Sequence, residues 1–373
     1  MRIKSFEFNL RELAGSMGDF GTLLPLAIGY FTVCKMNPAG LLVMMGLANI
    51  VTGLVYRLPM PIEPMKLLAV MAIAQAWTPE KIYTSGIVMG IVWLLMGATG
   101  AMQWVARWTP KSVTRGIQIA LGALLAIEGT KMIRTWWWLG LIAVAIVLLL
   151  RKNKYAPAAV VLMALGIAIM AFRRQLGCVT GLSFAFPPLT MFDPRLIWPV
   201  LRDGGLAQIP LTATNAVIAT VALIAQYWPD RRVTERQLSL SMGVMNLIAP
   251  LLGGMPMCHG AGGLAGQYYF GARTGGTNII EGAIEISLGL FFAGSIAALF
   301  AAFPVAIVGA MMFLVGIELV KFARDIRLDR ALLPLAATVA GSLLLNMAVG
   351  FVVGIAVHYI VIRKTDAPSE NAP

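Results

Sequence analysis

Apolar runs of about 20 residues recur from one end of this chain to the other, and each is long enough to cross a bilayer as a helix. Only 12% of the 373 residues are charged, which is about half the share found in a soluble domain. No polar stretch between the runs is long enough to fold as a separate soluble domain. These features predict an all-α polytopic membrane protein that forms one membrane unit.

The basic residues indicate how the chain is oriented. The net charge of +12 raises the question of nucleic-acid binding, but Lys and Arg are spread through short loops, so no nucleic-acid partner is expected. Fourteen spans that start from a cytoplasmic N-terminus place most of these residues in inside loops, as the positive-inside rule requires. We therefore expect both termini in the cytoplasm and an inner (plasma) membrane of the bacterial type. The first 16 residues are expected to form an amphipathic helix on the membrane surface.

An internal repeat divides the chain. Residues 46–60, GLANIVTGLVYRLPM, align without gaps on residues 243–257, GVMNLIAPLLGGMPM. The identical pairs are Gly46 with Gly243, Asn49 with Asn246, Leu54 with Leu251, Pro59 with Pro256 and Met60 with Met257. A second correspondence pairs Glu128 with Glu318, near opposite faces of the membrane. Because transporters commonly consist of two halves of opposite topology, we predict a seven-span repeat at 1–173, an interfacial connector at 174–204 and a second seven-span repeat at 205–373.

The ends of the predicted spans are approximate. In the first half the spans cover about 16–32, 38–57, 62–77, 83–105, 113–130, 135–150 and 156–172. In the second half they cover about 205–227, 236–253, 259–270, 277–299, 304–322, 331–347 and 348–363. The third span of each half is short.

Both of these short spans open with residues that break helices. The first break reads PMPIEPMKLLAV at 59–70, and the second reads MPMCHGAGGLAGQ at 255–267. Irregular backbone at membrane depth is tolerated only where it is buried in protein or lines a water-filled cavity. Proline fits the first turn of a helix, and glycine lets a ligand approach the backbone closely. Two half-helices would then point their N–H groups and positive dipole ends at each other, and that gap favours an anion.

Several of these residues have more than one interpretation. Pro and Gly could merely kink packed helices, although matching kinks at equivalent repeat positions disfavour this. Lys66 could add positive charge to the site, or it could pair with a carboxylate such as Glu63 or Asp19. His259 could donate a hydrogen bond to an oxyanion, or it could cap its helix.

Other polar residues at membrane depth are candidates because burying them in lipid is costly. Asp19 lies in the first span, which is expected to face polar residues of the eighth span and complete the pocket. Glu281 and Glu285 lie one helical turn apart and could serve a proton path or form structural ion pairs. The cysteines lack the spacing of a metal site, so no metal is expected.

Three segments carry a family resemblance: GSMGDFGTLLPLAIGY at 15–30, PMPIEPMKLLAV at 59–70 and PMCHGAGGLAGQYYFGARTGG at 256–276. At these segments the chain resembles the molybdate transporter family, a membrane-only branch related to the SulP sulfate permeases. The resemblance implies a seven-plus-seven inverted repeat, shared with uracil permease, in which a core domain (spans 1–4 and 8–11) slides against a gate domain (spans 5–7 and 12–14). It places the substrate between the third and tenth helices. The expected substrate-binding residues are Gly21, Thr22, Pro61, Ile62, Glu63, Pro64, Gln208, Thr212, Asn215, Cys258, His259, Gly260, Ala261 and Gly262.

The chain departs from the family at Glu63. The family pattern at the first break is Pro-Val-Gln-Pro-Met-Lys, so a carboxylate stands where an amide is usual. Burial and a neighbouring anion both favour the protonated form of a carboxyl group. The hypothesis is that Glu63 carries a proton that crosses with the anion, and the alternative is an ion pair with Lys66 that has no role in transport. The proton-coupling candidates are Glu63, Asp19, Lys66, Glu281 and Glu285.

Together these features favour secondary active import of a tetrahedral oxyanion by alternating access, with molybdate preferred over sulfate or tungstate. No nucleotide-binding motif is present, and neither a cofactor nor an enzymatic activity is expected. The expected partners are the oxyanion, protons and the lipid bilayer, and a homodimer is left open. A nucleobase-proton symporter of the same fold, an anion channel and a non-transporting sensor are the alternatives.

Overall fold

The computed structural model gives most of the chain as helices. It describes residues 2–3, 5–18, 20–150, 158–175, 181–321 and 330–363. The first helices are α1 (Leu10–Ser16), α2 (Phe20–Thr32), α3 (Pro38–Tyr56), α4 (Lys66–Ala74), α5 (Pro79–Thr99), α6 (Ala101–Trp108), α7 (Lys111–Arg134), α8 (Trp137–Leu150) and α9 (Ala158–Phe172). They are followed by α10 (Pro194–Tyr227), α11 (Glu235–Ile248), α12 (Ala261–Phe270), α13 (Gly276–Phe291), α14 (Ala293–Ala302), α15 (Val305–Lys321), α16 (Leu332–Leu344) and α17 (Met347–Arg363). The strands are β1 (Arg2–Ile3), β2 (Phe6–Glu7), β3 (Glu63–Pro64) and β4 (Met257–Cys258).

Several helices have the length that a membrane requires. Among the described residues, α3, α5, α7 and α10 are long and apolar enough to cross a bilayer. Helices α13 and α14 would make a fifth span if counted together, with a bend of 84° between them. These helices agree with an all-α polytopic architecture, whereas the count of fourteen spans stays a prediction.

Local sequence explains where the long helices begin and end. Helix α3 begins with Pro38 after Asn37, whose side chain accepts two backbone N–H groups of the first turn. Helix α5 begins in the same way, with Pro79 after Thr78. It ends at Gly100, whose φ of 73° is a conformation that a residue without a Cβ adopts freely.

Helices cross closely where glycines face one another. A Cβ added at Gly122 on α7 would lie 2.5 Å from the carbonyl oxygen of Gly316 on α15. One added at Gly129 would lie equally close to that of Gly309. Small residues allow such backbone contact in membranes, where no hydrophobic force drives helices together. The α7–α15 pair is therefore held by close packing over about two helical turns.

Two further helix pairs pack along each other, α3 with α13 and α5 with α11. Gly46 faces Gly282 in the first pair, and Gly90 faces Gly243 in the second. The first pair joins the predicted second and eleventh spans, and the second pair joins the fourth and ninth. An inverted repeat would make these two contacts equivalent.

The N-terminal residues differ from the expected helix on the membrane surface. Strands β1 and β2 form an antiparallel hairpin, and α1 is only seven residues long. Glu12 on α1 is buried and accepts hydrogen bonds from the backbone N–H groups of Arg273 and Thr274, at 3.1 and 3.2 Å. Helix α1 therefore docks on the protein, because its carboxylate satisfies backbone donors just ahead of α13.

The connector ties helix ends together. The N–H of Ser183 donates to the carbonyl of Phe291 at 3.0 Å, at the end of α13. The N–H of Thr190 donates to the carbonyl of Leu251 at 2.9 Å, just past α11. Helix ends leave such carbonyls without partners inside the helix. Helix α10 begins at Pro194, inside the segment predicted as a connector, and the division of the chain at 174–204 stays a prediction.

Candidate functional site

The two broken segments lie side by side. Strand β3 of the first break pairs antiparallel with β4 of the second, and Glu63 lies opposite Cys258. The N–H of Met65 donates to the carbonyl of Pro256 at 2.9 Å and extends the pairing. We call β3 and β4 the hinge ribbon. Since α4 and α12 begin within three residues of the two strands, both half-helix N-termini emerge from this ribbon.

Buried asparagines fix the backbone of both breaks. Asn278 accepts the N–H of Met60 at 2.8 Å and donates to its carbonyl at 2.6 Å. Asn246 makes the same two bonds with Met257, at 2.8 and 2.6 Å. Backbone groups that leave a regular helix in a buried place need such partners. The two methionines are equivalent in the predicted repeat, although Asn278 comes from α13 and Asn246 from α11.

A cavity of about 290 Å³ opens beside the hinge ribbon. Its lining consists of Glu63, Lys66, Arg115, Gln118, Leu121, Gln208, Leu211, Thr212, Asn215, Ala216, Ala219, Cys258, Gly260, Ala261 and Gly262. Helix α10 supplies six of these residues and α7 supplies three, and the other six come from the two breaks and the first residues of α4 and α12. The charged side chains of the wall are two cations, Lys66 and Arg115, and one carboxylate, Glu63.

Eight of the fourteen predicted substrate-binding residues, together with Lys66, meet at this cavity. The predicted residues in its lining are Glu63, Lys66, Gln208, Thr212, Asn215, Cys258, Gly260, Ala261 and Gly262. The lining does not include Pro61, Ile62, Pro64 and His259. Asp19 lies outside the described residues, and so do the side chains of Gly21 and Thr22.

Glu63 is a buried carboxylate with one close cation. Only 1% of the residue is exposed, and Lys66 Nζ lies 3.4 Å from Glu63 Oε2. Neither carboxylate oxygen has a hydrogen-bond partner among the described residues, so the ammonium group compensates charge without the geometry of a hydrogen bond. The Lys66 side chain is 28% exposed and lines the cavity. Lys66 therefore pairs with Glu63 and also lines the cavity, while its role toward an anion stays a prediction.

Glycine makes room for Glu63 on the second half-helix. A Cβ added at Gly260 would overlap the Glu63 carboxylate, and one added at Gly263 would lie 3.0 Å from Glu63 Cδ. A Cβ at Gly262 would meet only Lys66 Nζ, at 3.8 Å. The φ of Gly260 is −85°, which any residue adopts. Space, rather than backbone conformation, requires glycine at 260.

The two half-helices differ in how their first N–H groups are used. No side chain caps α12 at Gly260, and the first N–H groups of a helix have no partner inside it. Helix α4 also lacks a cap from Met65, but Gln208 Oε1 accepts the N–H of Leu68 at 3.2 Å. Gln208 Nε2 donates in turn to Thr212 Oγ1 at 2.6 Å. The N-terminus of α4 is therefore partly satisfied by protein.

Helix α10 presents a polar side chain from an irregular stretch. Residues Ala213–Ile218 are π-helical and follow Pro210, which has no N–H to donate. Asn215 lies in this stretch and lines the cavity. Its Nδ2 is buried and has no hydrogen-bond partner among the described residues. π-Helical turns occur often at functional sites, and here one offers a donor.

His259 is held on the other side of the ribbon. Its ring is buried, with Nδ1 3.2 Å from the carbonyl oxygen of Pro61 and Nε2 3.0 Å from Ser241 Oγ. A carbonyl only accepts, so these partners place the proton on Nδ1 and let Nε2 accept from the serine hydroxyl. Both ring nitrogens are thus engaged within the protein, but neither bonds an N–H of α12, so His259 holds the first break and Ser241 rather than capping its helix.

Sequence reasoning missed the contribution of α7. Under the positive-inside rule Arg115 is only a topology signal, yet it lines the cavity and donates to Gln118 Oε1 at 2.8 Å. The signal was available, because residues three apart lie on one helix face. A basic and an amide side chain at that spacing, one turn into a span, indicate a polar face.

Among the described side chains, the acidic candidates outside the two breaks do not line the cavity. Gln267 donates to Glu281 at 3.3 Å, and Asn49 donates to Glu285 at 2.9 Å, so both carboxylates are buried among core helices outside the cavity lining. Glu128 pairs with the exposed Lys131 on α7 at 2.5 Å. The side chain of Glu318 lies outside the described residues.

The fold is shared with solved membrane transporters. The transmembrane domain of a cyanobacterium bicarbonate transporter, BicA, matches with a TM-score of 0.65 at 15% identity and covers 95% of this chain and 98% of that chain. Murine Solute Carrier 26 family member A9, an anion transporter in the inward-facing state, matches with a TM-score of 0.74 at 12% identity, over 98% of this chain and 70% of that chain. At these identities the likeness concerns the fold alone.

Sequence comparison identifies the family. The family described as "Molybdate transporter of MFS superfamily" matches residues 11–125 and 201–319, which include both breaks. Molybdate transporter 1 of Arabidopsis thaliana is 31% identical and covers 94% of this chain and 87% of its own length. Molybdate transporter 1 of Chlamydomonas reinhardtii is 30% identical, over 92% of this chain and 90% of its own length. The chain therefore belongs to the molybdate transporter family, a family of transporters rather than enzymes, as its sequence resemblance predicted.

Proposed function

We propose that this protein is a secondary active importer of a tetrahedral oxyanion, with molybdate as the first candidate, and that a proton crosses with the anion. The observation that carries the proposal is the 290 Å³ cavity, where two half-helix N-termini, Lys66 and Arg115 converge. Helix N-termini and cationic side chains are the groups that bind oxyanions in proteins. Two relatives are named molybdate transporters, and that supports molybdate.

The size of the cavity supports a small substrate. Ligand pockets commonly span about 300–1,000 Å³, and a water molecule occupies about 30 Å³ of the liquid. A tetrahedral oxyanion with part of its hydration shell fits this space. The proposed binding residues are the predicted residues of the lining, together with Arg115 and Gln118.

The charges of the lining support proton coupling through Glu63. A tetrahedral dianion balances the two lining cations, Lys66 and Arg115, when Glu63 is neutral. An ionised Glu63 would instead compete with the anion for Lys66, and it would also repel the anion. Proton and anion would therefore stabilise each other in the site.

The position of the cavity supports alternating access. The wall from α4, α10 and α12 belongs to the predicted core, and the wall from α7 belongs to the predicted gate. Sliding of the gate would carry Arg115 toward or away from the anion, so access and coordination would change together. We extend the proposal to the seven-plus-seven inverted repeat, with both termini in the cytoplasm of a bacterial-type plasma membrane.

Uptake into proteoliposomes tests the proposed function. We expect labelled molybdate to accumulate faster with an inward proton gradient than without one, and unlabelled tungstate to compete. Sulfate should compete as well if the site selects its substrate only by charge and shape. Equal uptake with and without the gradient would favour a channel, and stabilisation of the purified protein by uracil but by no oxyanion would indicate a nucleobase transporter.

Replacement of Glu63 by Gln tests the coupling residue. The variant keeps the size of the side chain and restores the amide that is usual in the family, so the site should still bind molybdate. We expect the dependence of uptake on external pH to weaken. Glu128→Gln, in an ion pair outside the cavity, is the matched control and should retain the full pH dependence. Unchanged pH dependence in Glu63→Gln would remove Glu63 from the coupling.

A further inference from the structure

A second cavity lies on the other side of the hinge ribbon, between α3 and α11. It measures about 560 Å³, and most of its wall is apolar. Its apolar residues with the largest exposed fractions are Leu47, Val51, Val55, Val244 and Ile248, which are 42–67% exposed. Such side chains face lipid in a membrane protein, so this cavity is a groove on the surface of the helix bundle. We call it the α3–α11 groove.

The length of the groove matches one leaflet of a bilayer. Its lining on α3 runs from Met44 to Tyr56, and a helix rises about 1.5 Å per residue, which gives about 18 Å. The hydrocarbon core of a bilayer is about 30 Å thick, so one leaflet is about 15 Å. A single acyl chain would fill the groove from end to end.

The groove changes from apolar to cationic at one end. Arg231 and Arg232, just ahead of α11, complete its lining next to Tyr56 and Gln237. Both arginines are exposed, and no ion pair between described residues involves either one. Two guanidinium groups at the mouth of an apolar groove match a phosphodiester above an acyl chain.

We propose that the α3–α11 groove binds an anionic phospholipid, with its phosphate at Arg231 and Arg232 and an acyl chain along α3 and α11. An interface with a second copy of the chain does not require two adjacent cations at the end of an apolar groove that is one leaflet long. The match of charge and length favours lipid. On the proposed topology the bound lipid belongs to the cytoplasmic leaflet.

The bound lipid would also pack against the face of the hinge ribbon that lies opposite the anion cavity. Met257 lines the α3–α11 groove, whereas its strand neighbour Cys258 lines the anion cavity. Successive side chains of a strand point to opposite faces, so β4 forms a wall between the two cavities. Ser241, which also lines the groove, bonds His259. Loss of the lipid should therefore make the anion site less rigid. This consequence rests on the proposed function, whereas lipid binding itself does not rest on it.

Lipid titration of the delipidated protein tests the proposal. Native mass spectrometry in neutral detergent would compare phosphatidylglycerol with phosphatidylcholine of the same acyl chains. We expect phosphatidylglycerol to bind at least tenfold more tightly, and Arg231→Gln and Arg232→Gln each to lower its affinity about fivefold. Arg236→Gln is the matched control, because it removes an exposed arginine of α11 that does not line the groove; it should change affinity less than twofold.

Two further arms separate lipid from other occupants. Glycerol 3-phosphate should not compete at millimolar concentration, since it lacks the acyl chain; full competition would assign the arginines to a free phosphate ester and overturn the proposal.

Val51→Trp should fill the groove and weaken the binding of both lipids. If the spectra show a dimer that Val51→Trp converts to monomers, a second copy occupies the groove. Equal binding of the two lipids would also reject the proposal. None of these readouts uses molybdate, so a failure would leave the anion site untouched.

Discussion

The two breaks share one ribbon but contribute different chemistry. The first break supplies charged side chains, Glu63 and Lys66, and its half-helix has one N–H group already bonded to Gln208. The second break supplies glycine backbone without a charged side chain, and its half-helix has no side-chain cap. Under the proposed function, this pair of equivalent segments would divide anion binding by backbone N–H groups from charge compensation by side chains.

Proline and glycine produce this difference. Pro61 and Pro64 remove two backbone donors from the first break, and the charged groups of that segment are the side chains of Glu63 and Lys66. Gly260 and Gly263 remove side-chain volume from the second break, and the space is taken by the Glu63 carboxylate. Each segment therefore depends on the other, since the carboxylate of the first occupies the gap left by the second.

The largest effect should follow from breaking that dependence with Gly260→Ala. The new Cβ would overlap the Glu63 carboxylate, so either the carboxylate or the ribbon must move. We expect molybdate transport to be lost and the free energy of unfolding to fall by about 1–3 kcal/mol. Thermal unfolding and molybdate titration measure the two effects.

A neighbouring glycine and a double variant provide the controls. Gly262→Ala adds the same methyl group where the nearest atom is Lys66 Nζ at 3.8 Å, so its stability should stay close to the wild type. In a Glu63→Ala background Gly260→Ala should lose most of its effect, because contacting residues are not additive. Equal damage from both glycine variants would contradict the steric explanation.

The next effect concerns the charge of the first break. Lys66→Met keeps the apolar stem but removes the cation that lies beside Glu63 and lines the proposed anion site. Truncating one partner of a buried charge pair costs about 2–5 kcal/mol, and 1.4 kcal/mol is tenfold in affinity. We expect molybdate affinity to fall on the order of 100-fold in isothermal titration.

The matched control is Lys131→Met. Lys131 pairs with Glu128 at the same three-residue spacing, but its side chain is 63% exposed. Exposed ion pairs contribute little, so this variant should bind molybdate within twofold of the wild type. If the two lysine variants behave alike, the positive charge of the first break does not bind the anion.

A smaller effect should follow from uncapping the first half-helix. Gln208→Leu leaves the N–H of Leu68 without its side-chain acceptor and takes a partner from Thr212. An unsatisfied buried donor costs about 1–3 kcal/mol, which should appear as a lower unfolding temperature. Gln208→Glu, which keeps an acceptor, should retain more of the stability. Equal loss in both variants would show that the hydrogen bond to α4 does not matter.

The positions of the breaks were predictable from sequence, because proline and glycine act locally. The repeat alignment paired Met60 with Met257, and the structure holds both in the same way. The partner of Met60 was not predictable. Asn278 lies more than 200 residues away along the chain. It takes the place of Asn49, which is the repeat equivalent of Asn246. Asn49 itself accepts a hydrogen bond from Asn278 Nδ2. Long-range packing decided that exchange, and no local pattern records it.

The charge pattern yields a topology prediction but does not reveal that Arg115 lines the cavity. A basic residue near a helix end satisfies the positive-inside rule whether or not its side chain reaches a cavity. The approach of α7 to α10 and α12 determines which applies, and that approach depends on tertiary packing. The docking of Glu12 was hidden for the same reason, since its partners lie about 260 residues away.

The smallest expected effect concerns the other side of the second break. Ser241→Ala removes the hydroxyl that bonds His259 Nε2 and leaves the bond between the ring and Pro61. One hydrogen bond contributes about 0.5–1.5 kcal/mol, so molybdate affinity should fall about twofold to tenfold, with no change in the pH dependence of uptake. Ser287→Ala, which removes an exposed hydroxyl from α13, should have no effect. A shifted pH profile in Ser241→Ala would instead place His259 among the residues that carry the proton, and the two breaks would then share the coupling that we propose for Glu63.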